Sequence, residues 1–421
     1  MRLLLIAITL AVCCLSIFMT RGRIYPVTVF TLLFGFLIAG ALFLFEDEQW
    51  GYFGILWLLA ALFFVNLGSL VGRGHGNERK PAQLQNLDRI RFRPPVARVI
   101  LVVLIVCGIL WLGIELRSNQ LTMSVFASPD SLLEVGTEIA ERRYSGGSNG
   151  STMVQLLASL TYSAALCGGS FYLMFDTRKD RMLCVGTMLP ISLLMILTNA
   201  KAGFIASIML WLIGYITGYI RKYGEGIRIS DKRVLLFLCI TVAVLVLLYI
   251  TFLLRVGSLE SWAFKAANEK FGIYAFAGIY NFDYWVSNYG LSLLDAQFGI
   301  NTFMSAFSLL GFVQRAQGVY QTMLVGYGNI FTSFRGLTQD FTCIGALLLL
   351  FLLGCLEGFF VKRVRSNVSM VAQAGLAAIG FFYTYSLIIS PWVYTTYVIP
   401  FVILLLSLRL CGLSRSENVI S

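Results

Sequence analysis

Apolar residues run along this chain in long blocks separated by short polar stretches. A membrane span needs about 20 mostly apolar residues. Eleven blocks meet that length: Leu3–Met19, Val27–Phe45, Tyr52–Val71, Val96–Ile114, Met153–Phe175, Met182–Leu197, Gly203–Tyr219, Val234–Leu254, Phe341–Val361, Val371–Ile388 and Trp392–Leu408. Open strands and bare loops cannot face lipid, so each block is expected to be a helix. The first block lacks a small-residue cleavage site and ends at Arg21 and Arg23, so it reads as a retained span.

Charge then orients the blocks. The chain carries a net charge of +11, with 13% charged and 58% hydrophobic residues over 421 positions. Soluble domains carry roughly 25% charged residues, so lipid is the main solvent here. Of the 32 Lys and Arg, 22 fall in the segments that alternate onto one side, and 10 fall on the other. The positive-inside rule makes the 22 cytoplasmic, with the N-terminus outside and the C-terminus inside. The basic excess orients a membrane protein and is not a nucleic-acid footprint, since no such motif occurs.

The expected organisation follows. Residues 1–254 hold eight membrane helices and an outer loop at 115–151. Residues 255–340 form a large, partly helical outer loop, and residues 341–421 hold three more helices and a cytoplasmic tail. The cytoplasmic loops contain no Walker or G-x-G-x-x-G pattern, so no ATP bound to this chain drives its chemistry. All nine cysteines lie in or beside apolar blocks without C-x-x-C spacing and read as small buried hydrophobes.

The sole histidine, His75, lies in a cytoplasmic loop, and no cysteine lies in the outer loops. Outer-face chemistry must therefore proceed without a histidine base or a thiol nucleophile. What remains there is cationic and aromatic. Arg255 follows the eighth block, Arg315 and Arg335 lie before the ninth, and Lys201 sits in a tight turn between the sixth and seventh. Guanidinium groups offer paired donors to phosphate oxygens and stay charged at any working pH. Several such cations at a membrane boundary suit a lipid-linked pyrophosphate. Phe271, Tyr274, Phe276, Tyr280, Phe282, Tyr284, Trp285 and Tyr289 crowd the same loop. Such rings stack on sugars, and they also anchor helices at the lipid boundary.

The run Tyr327-Gly328-Asn329-Ile330-Phe331-Thr332-Ser333-Phe334-Arg335, followed by Gln339-Asp340-Phe341 and Gly345, leads into a span ending Leu353-Gly354. It resembles the Wzy-type O-antigen polymerases, the oligosaccharide repeat-unit polymerases, which carry N-x-x-T-x-F … D-F-G-x-x-G before a late span. Thr342 stands where that family often has Gly, and Lys201 where relatives usually show Arg. An Arg-ten residues-Gly spacing, described for such polymerases, occurs from Arg315 to Gly326.

The resemblance implies a GT-C-like all-α membrane glycosyltransferase at the periplasmic face of the bacterial inner membrane, without metal or cofactor. Its substrate would be undecaprenyl-pyrophosphate-linked oligosaccharide in membrane lipid. A chain-length regulator and a flippase would be its protein partners. Arg255, Arg315 and Arg335 would stabilise the leaving pyrophosphate, with Lys201 beside them. Asp340 or Glu260 would accept the acceptor's proton, and Tyr274, Tyr280 and Asn329 would contact substrate. Three alternatives stay open. An O-antigen ligase is disfavoured by the lack of an outer-loop histidine, a lipid-linked glycan flippase by the long outer loop, and the last is a structural partner without chemistry.

Overall fold

The computed structural model describes residues 1–74, 92–118, 151–198, 201–232, 261–289, 296–314, 330–367 and 369–412, with scattered positions from 234 to 253. The described residues are all-α apart from one two-residue strand pair. The helices are α1 (Arg2–Met19), α2 (Pro26–Leu44), α3 (Phe53–Arg73), α4 (Pro94–Ser118), α5 (Thr152–Tyr172), α6 (Arg178–Gly186) and α7 (Leu189–Thr198). They continue as α8 (Lys201–Tyr223), α9 (Ser261–Tyr289), α10 (Met304–Leu309), α11 (Thr332–Asn367), α12 (Met370–Tyr385) and α13 (Thr395–Leu410). Among the described residues six of them, α1, α2, α3, α4, α8 and α11, are long and apolar enough to cross a membrane; α12 and α13 are shorter and also apolar. The chain is a polytopic all-α membrane protein.

Close backbone contact holds the central pair, α3 and α11. Gly68 and Gly72 face Gly354 and Gly358, so each helix presents a G-x-x-x-G edge. A Cβ on Gly72 would stand 2.0 Å from the Cys355 carbonyl oxygen, and one on Gly358 would stand 2.2 Å from that of Ser69. Lipid gives helices no hydrophobic reason to associate, so small residues and interhelical hydrogen bonds do that work. A polar chain supplies the bonds elsewhere: Ser16 of α1 donates to Asn66 of α3 at 2.7 Å, and Asn66 donates to Thr31 of α2 at 2.7 Å.

One end of the bundle is basic. Strand β1 (Arg23–Ile24) pairs antiparallel with β2 (Ile227–Arg228), and Arg23 meets Glu225 at 2.8 Å. Arg365 donates to the Gly224 carbonyl at 2.6 Å, and the Arg93 amide donates to the Cys411 carbonyl at 3.0 Å. These links draw together segments that alternation of the spans assigns to one side.

Several expected spans differ in detail. The sixth block is broken at residues 187–188 between α6 and α7. Pro190 sits in the first turn of α7, where its missing amide costs no helical bond, and the first turn of α6 carries charge, which leaves α7 as the apolar part. The eighth block lies largely outside the described residues. Within 255–340, assigned above to an outer loop, α9 packs its second half into the bundle, and Tyr280, Phe282, Asp283, Trp285 and Val286 are buried.

Candidate functional site

Helix α11 is two helices. Thr342, with φ 62° and ψ 171°, breaks it into a half-helix at 332–341 and a long span at 343–367. The half-helix begins inside the bundle. Its Phe334 ring lies 5.0 Å from Phe34, in the middle of α2, and 5.6 Å from Trp57 and 6.1 Å from Phe282. Phe331, Thr332, Ser333 and Phe334 are buried, and the Ser333 amide donates to the Ser386 carbonyl at 2.8 Å. Asn281 of α9 holds the Ile330 carbonyl at 2.9 Å.

Arg335 stands in the first turn of this half-helix and is 9% exposed. Its guanidinium lies 4.3 Å over the Phe331 ring and 5.2 Å over the Trp285 ring. Cations over aromatic faces are stabilised, more so when desolvated. The surroundings are otherwise costly. A helix N-terminus carries about half a positive charge, so a first-turn cation opposes the dipole. Burying a charge adds a penalty of several kcal/mol. The half-helix N-terminus and the guanidinium set two positive potentials side by side, the kind of place where anions bind.

The other end of the half-helix is fixed by Asp340. This fully buried carboxylate accepts from the Asn301 amide at 3.1 Å, the Asn301 side chain at 2.9 Å and the Thr302 amide at 2.7 Å. Gln297 and Phe298 donate from their backbones to the carbonyls of Gln339 and Asp340. With both oxygens engaged, Asp340 anchors the 297–303 turn and is not placed as the proton acceptor considered above. Trp392 then stacks between Phe303 at 5.1 Å and Phe382 at 4.3 Å, closing the same region.

The remaining candidates divide. Arg255, Arg315, Glu260 and Asn329 lie outside the described residues. Lys201 opens α8, which packs chiefly on α5, whereas Arg335 lies against Trp285 of α9. Tyr280 is buried, stacks on Phe45 and points its hydroxyl at Glu48, 3.3 Å away, so it braces the turn after α2. Tyr274 is exposed. Glu357 accepts from Ser69 and lies 3.5 Å from Arg73, because the glycine contact brings α3 within reach.

One residue of this region, Asp283, escapes a reading by sequence. Asp283 accepts from the amides of Gly51, Tyr52, Gly54 and Ile55 at 2.8–3.3 Å, capping α3 from a different helix. The available signal was Asp283 itself, the sole charge between residues 271 and 289.

Thr342 is held in backbone space that is essentially reserved for glycine, at a cost of about 1–3 kcal/mol. Thr342→Gly is expected to raise stability by about 1 kcal/mol, the strain relief less the extra chain entropy of glycine. Thermal unfolding in detergent measures it. A fall instead would mean that the Thr342 hydroxyl, which accepts from the Gly345 amide at 3.4 Å, outweighs the strain.

No protein-family model, no curated protein and no solved structure matches the chain.

Proposed function

We propose that this chain is a membrane glycosyltransferase that polymerises oligosaccharide repeat units carried on undecaprenyl pyrophosphate. One observation carries the reading: a buried guanidinium in the first turn of a half-helix whose N-terminus begins inside the bundle. Positive potential of that kind serves a diphosphate that gains charge as it leaves. The resemblance to the Wzy-type polymerases over Tyr327–Arg335 and Gln339–Gly345 falls on the same half-helix.

In this mechanism an acceptor hydroxyl attacks the anomeric carbon of the donor's first sugar. A new C–O bond forms there while the bond to the pyrophosphate oxygen breaks, and undecaprenyl pyrophosphate departs. Arg335 and the half-helix amides stabilise that anion, with Arg255, Arg315 and Lys201 as further candidate cations. Asp340 positions the half-helix, which leaves Glu260 as the candidate base. The eleven-span, GT-C-like architecture belongs to the same proposal. So does an inner-membrane location with an outer N-terminus, which sets the half-helix toward the periplasmic face.

Deleting the gene tests the reading. Surface lipopolysaccharide is expected to carry a single repeat unit, since a ligase still transfers unpolymerised donor. A full ladder of chain lengths in the deletion strain contradicts the proposal. Complete absence of repeats points to a flippase.

A further inference from the structure

At the basic end, helix α6 borders a groove of about 460 Å³ lined by Tyr172, Asp176, Arg178, Arg181, Met182 and Val185. The α6 residues among these sit at positions i, i+3, i+4 and i+7, which is one helical stripe. The stripe is graded along its length. Its first turn is cationic and its last turn is apolar, with Met182 63% and Val185 45% exposed.

The opposite face of α6 is pinned. Arg98 of α4 clamps Asp180 with two bonds of 2.7 and 2.9 Å, and these bonds together with the Thr177 hydroxyl hold the Asp180 carboxyl below its usual range. Asp180 is thereby already neutralised and adds no free charge to the groove. Arg181 donates from Nε to the Phe175 carbonyl at 3.0 Å, which fixes its guanidinium beside the opening. Asp176 and Arg178 line the groove together, yet among the described residues neither side chain enters an ion pair or hydrogen bond. Both side chains are exposed, and opposite charges lining one groove above an apolar wall match a ligand that carries both charges and a chain.

We infer that this groove binds a phospholipid with a primary-ammonium headgroup. The lipid phosphate lies on Arg178 and Arg181, in charge-assisted contacts. The ammonium lies on the Asp176 carboxylate, beside the Tyr172 ring. An acyl chain follows Met182 and Val185 toward the bilayer centre. The carboxylate sets the selectivity: it repels a purely anionic headgroup, and a quaternary ammonium offers it no hydrogen bond. This inference does not depend on the catalytic proposal.

Native mass spectrometry of the full-length protein in detergent tests it, with equimolar dioleoyl phosphatidylethanolamine, phosphatidylcholine and phosphatidylglycerol. Phosphatidylethanolamine is expected to be retained about tenfold over phosphatidylglycerol, the ratio that one charge-assisted contact supplies. Asp176→Asn should erase that preference, and Arg178→Ala with Arg181→Ala should weaken all three lipids. Soluble phosphoethanolamine should compete poorly, because it has no chain for the apolar wall. Equal retention of the three lipids overturns the inference, as does tighter phosphatidylglycerol binding or an unchanged preference in Asp176→Asn. Displacement by phosphoethanolamine at concentrations that match the lipid would assign the groove to a soluble ligand and overturn the lipid assignment.

Discussion

Gly358→Ala should destabilise the protein by about 2 kcal/mol or more, although alanine is the better helix former. Two effects oppose each other. Alanine in a helix interior gains about 1 kcal/mol over glycine. Against that, the new methyl would stand 2.2 Å from the Ser69 carbonyl oxygen, where an ordinary C···O contact needs about 3.3 Å. The atom in the way is backbone of a neighbouring helix, so no rotamer change relieves it, and α3 and α11 must move apart. Overpacking of this kind costs about 1–3 kcal/mol before the loss of the contacts that the separation opens. Among those are the Ser69 and Arg73 contacts to Glu357, a buried carboxylate whose isolation is expensive. Gly72→Ala should behave alike, with its methyl 2.0 Å from the Cys355 carbonyl oxygen. Gly113→Ala supplies the opposite sign: nothing lies within 4 Å of its Cβ position, so propensity alone acts and stability should rise slightly. Thermal unfolding and size-exclusion profiles in one detergent read all three. If Gly358→Ala melts at or above the temperature of Gly113→Ala, the close-contact account of this helix pair is wrong.

The spans were legible because a 20-residue apolar block answers to its own composition and to no distant partner. That is why α1 to α4, α8 and the span at 343–367 fall where the blocks do. The stretch 255–340 answers to neighbours instead. Helix α9 buries Asn281 and Asp283 among other helices, so its hydropathy is diluted by polar residues whose partners lie 49 and 229 positions away. The half-helix at 332–341 is too short for a span window, and only the strained Thr342 separates it from the apolar run that follows. Asp340 shows the limit for chemistry. A carboxylate at a loop boundary reads as a candidate base until the amides of Asn301 and Thr302 are seen on it. The facing G-x-x-x-G edges were visible as letters, but which edge meets which is a property of the fold.

Arg335→Met is expected to leave a folded protein and to lower the proposed glycosyl transfer by about a hundredfold or more. The two readouts should separate because stability and catalysis ask different things of this position. Methionine keeps most of the apolar stem that packs beside Phe331 and Trp285 and removes the guanidinium. Replacing a buried ion by a well-packed apolar side chain is often neutral or stabilising. Removal of one preorganised group that stabilises a developing anion typically costs about 10²–10³ in kcat. Arg335→Lys should fall between the two, keeping charge but losing the planar fork and much of the ring contact. The measurement is chain-length ladders in cells at matched protein level, followed by turnover of purified protein on lipid-linked repeat units, with kcat and KM resolved. A residue that merely filled space would give Arg335→Met normal ladders and unchanged kcat, and that result would remove Arg335 from the site. Loss of both folding and activity in Arg335→Met, with both restored by Arg335→Lys, would instead make the charge part of the scaffold, held by its surroundings for packing and not for the departing diphosphate.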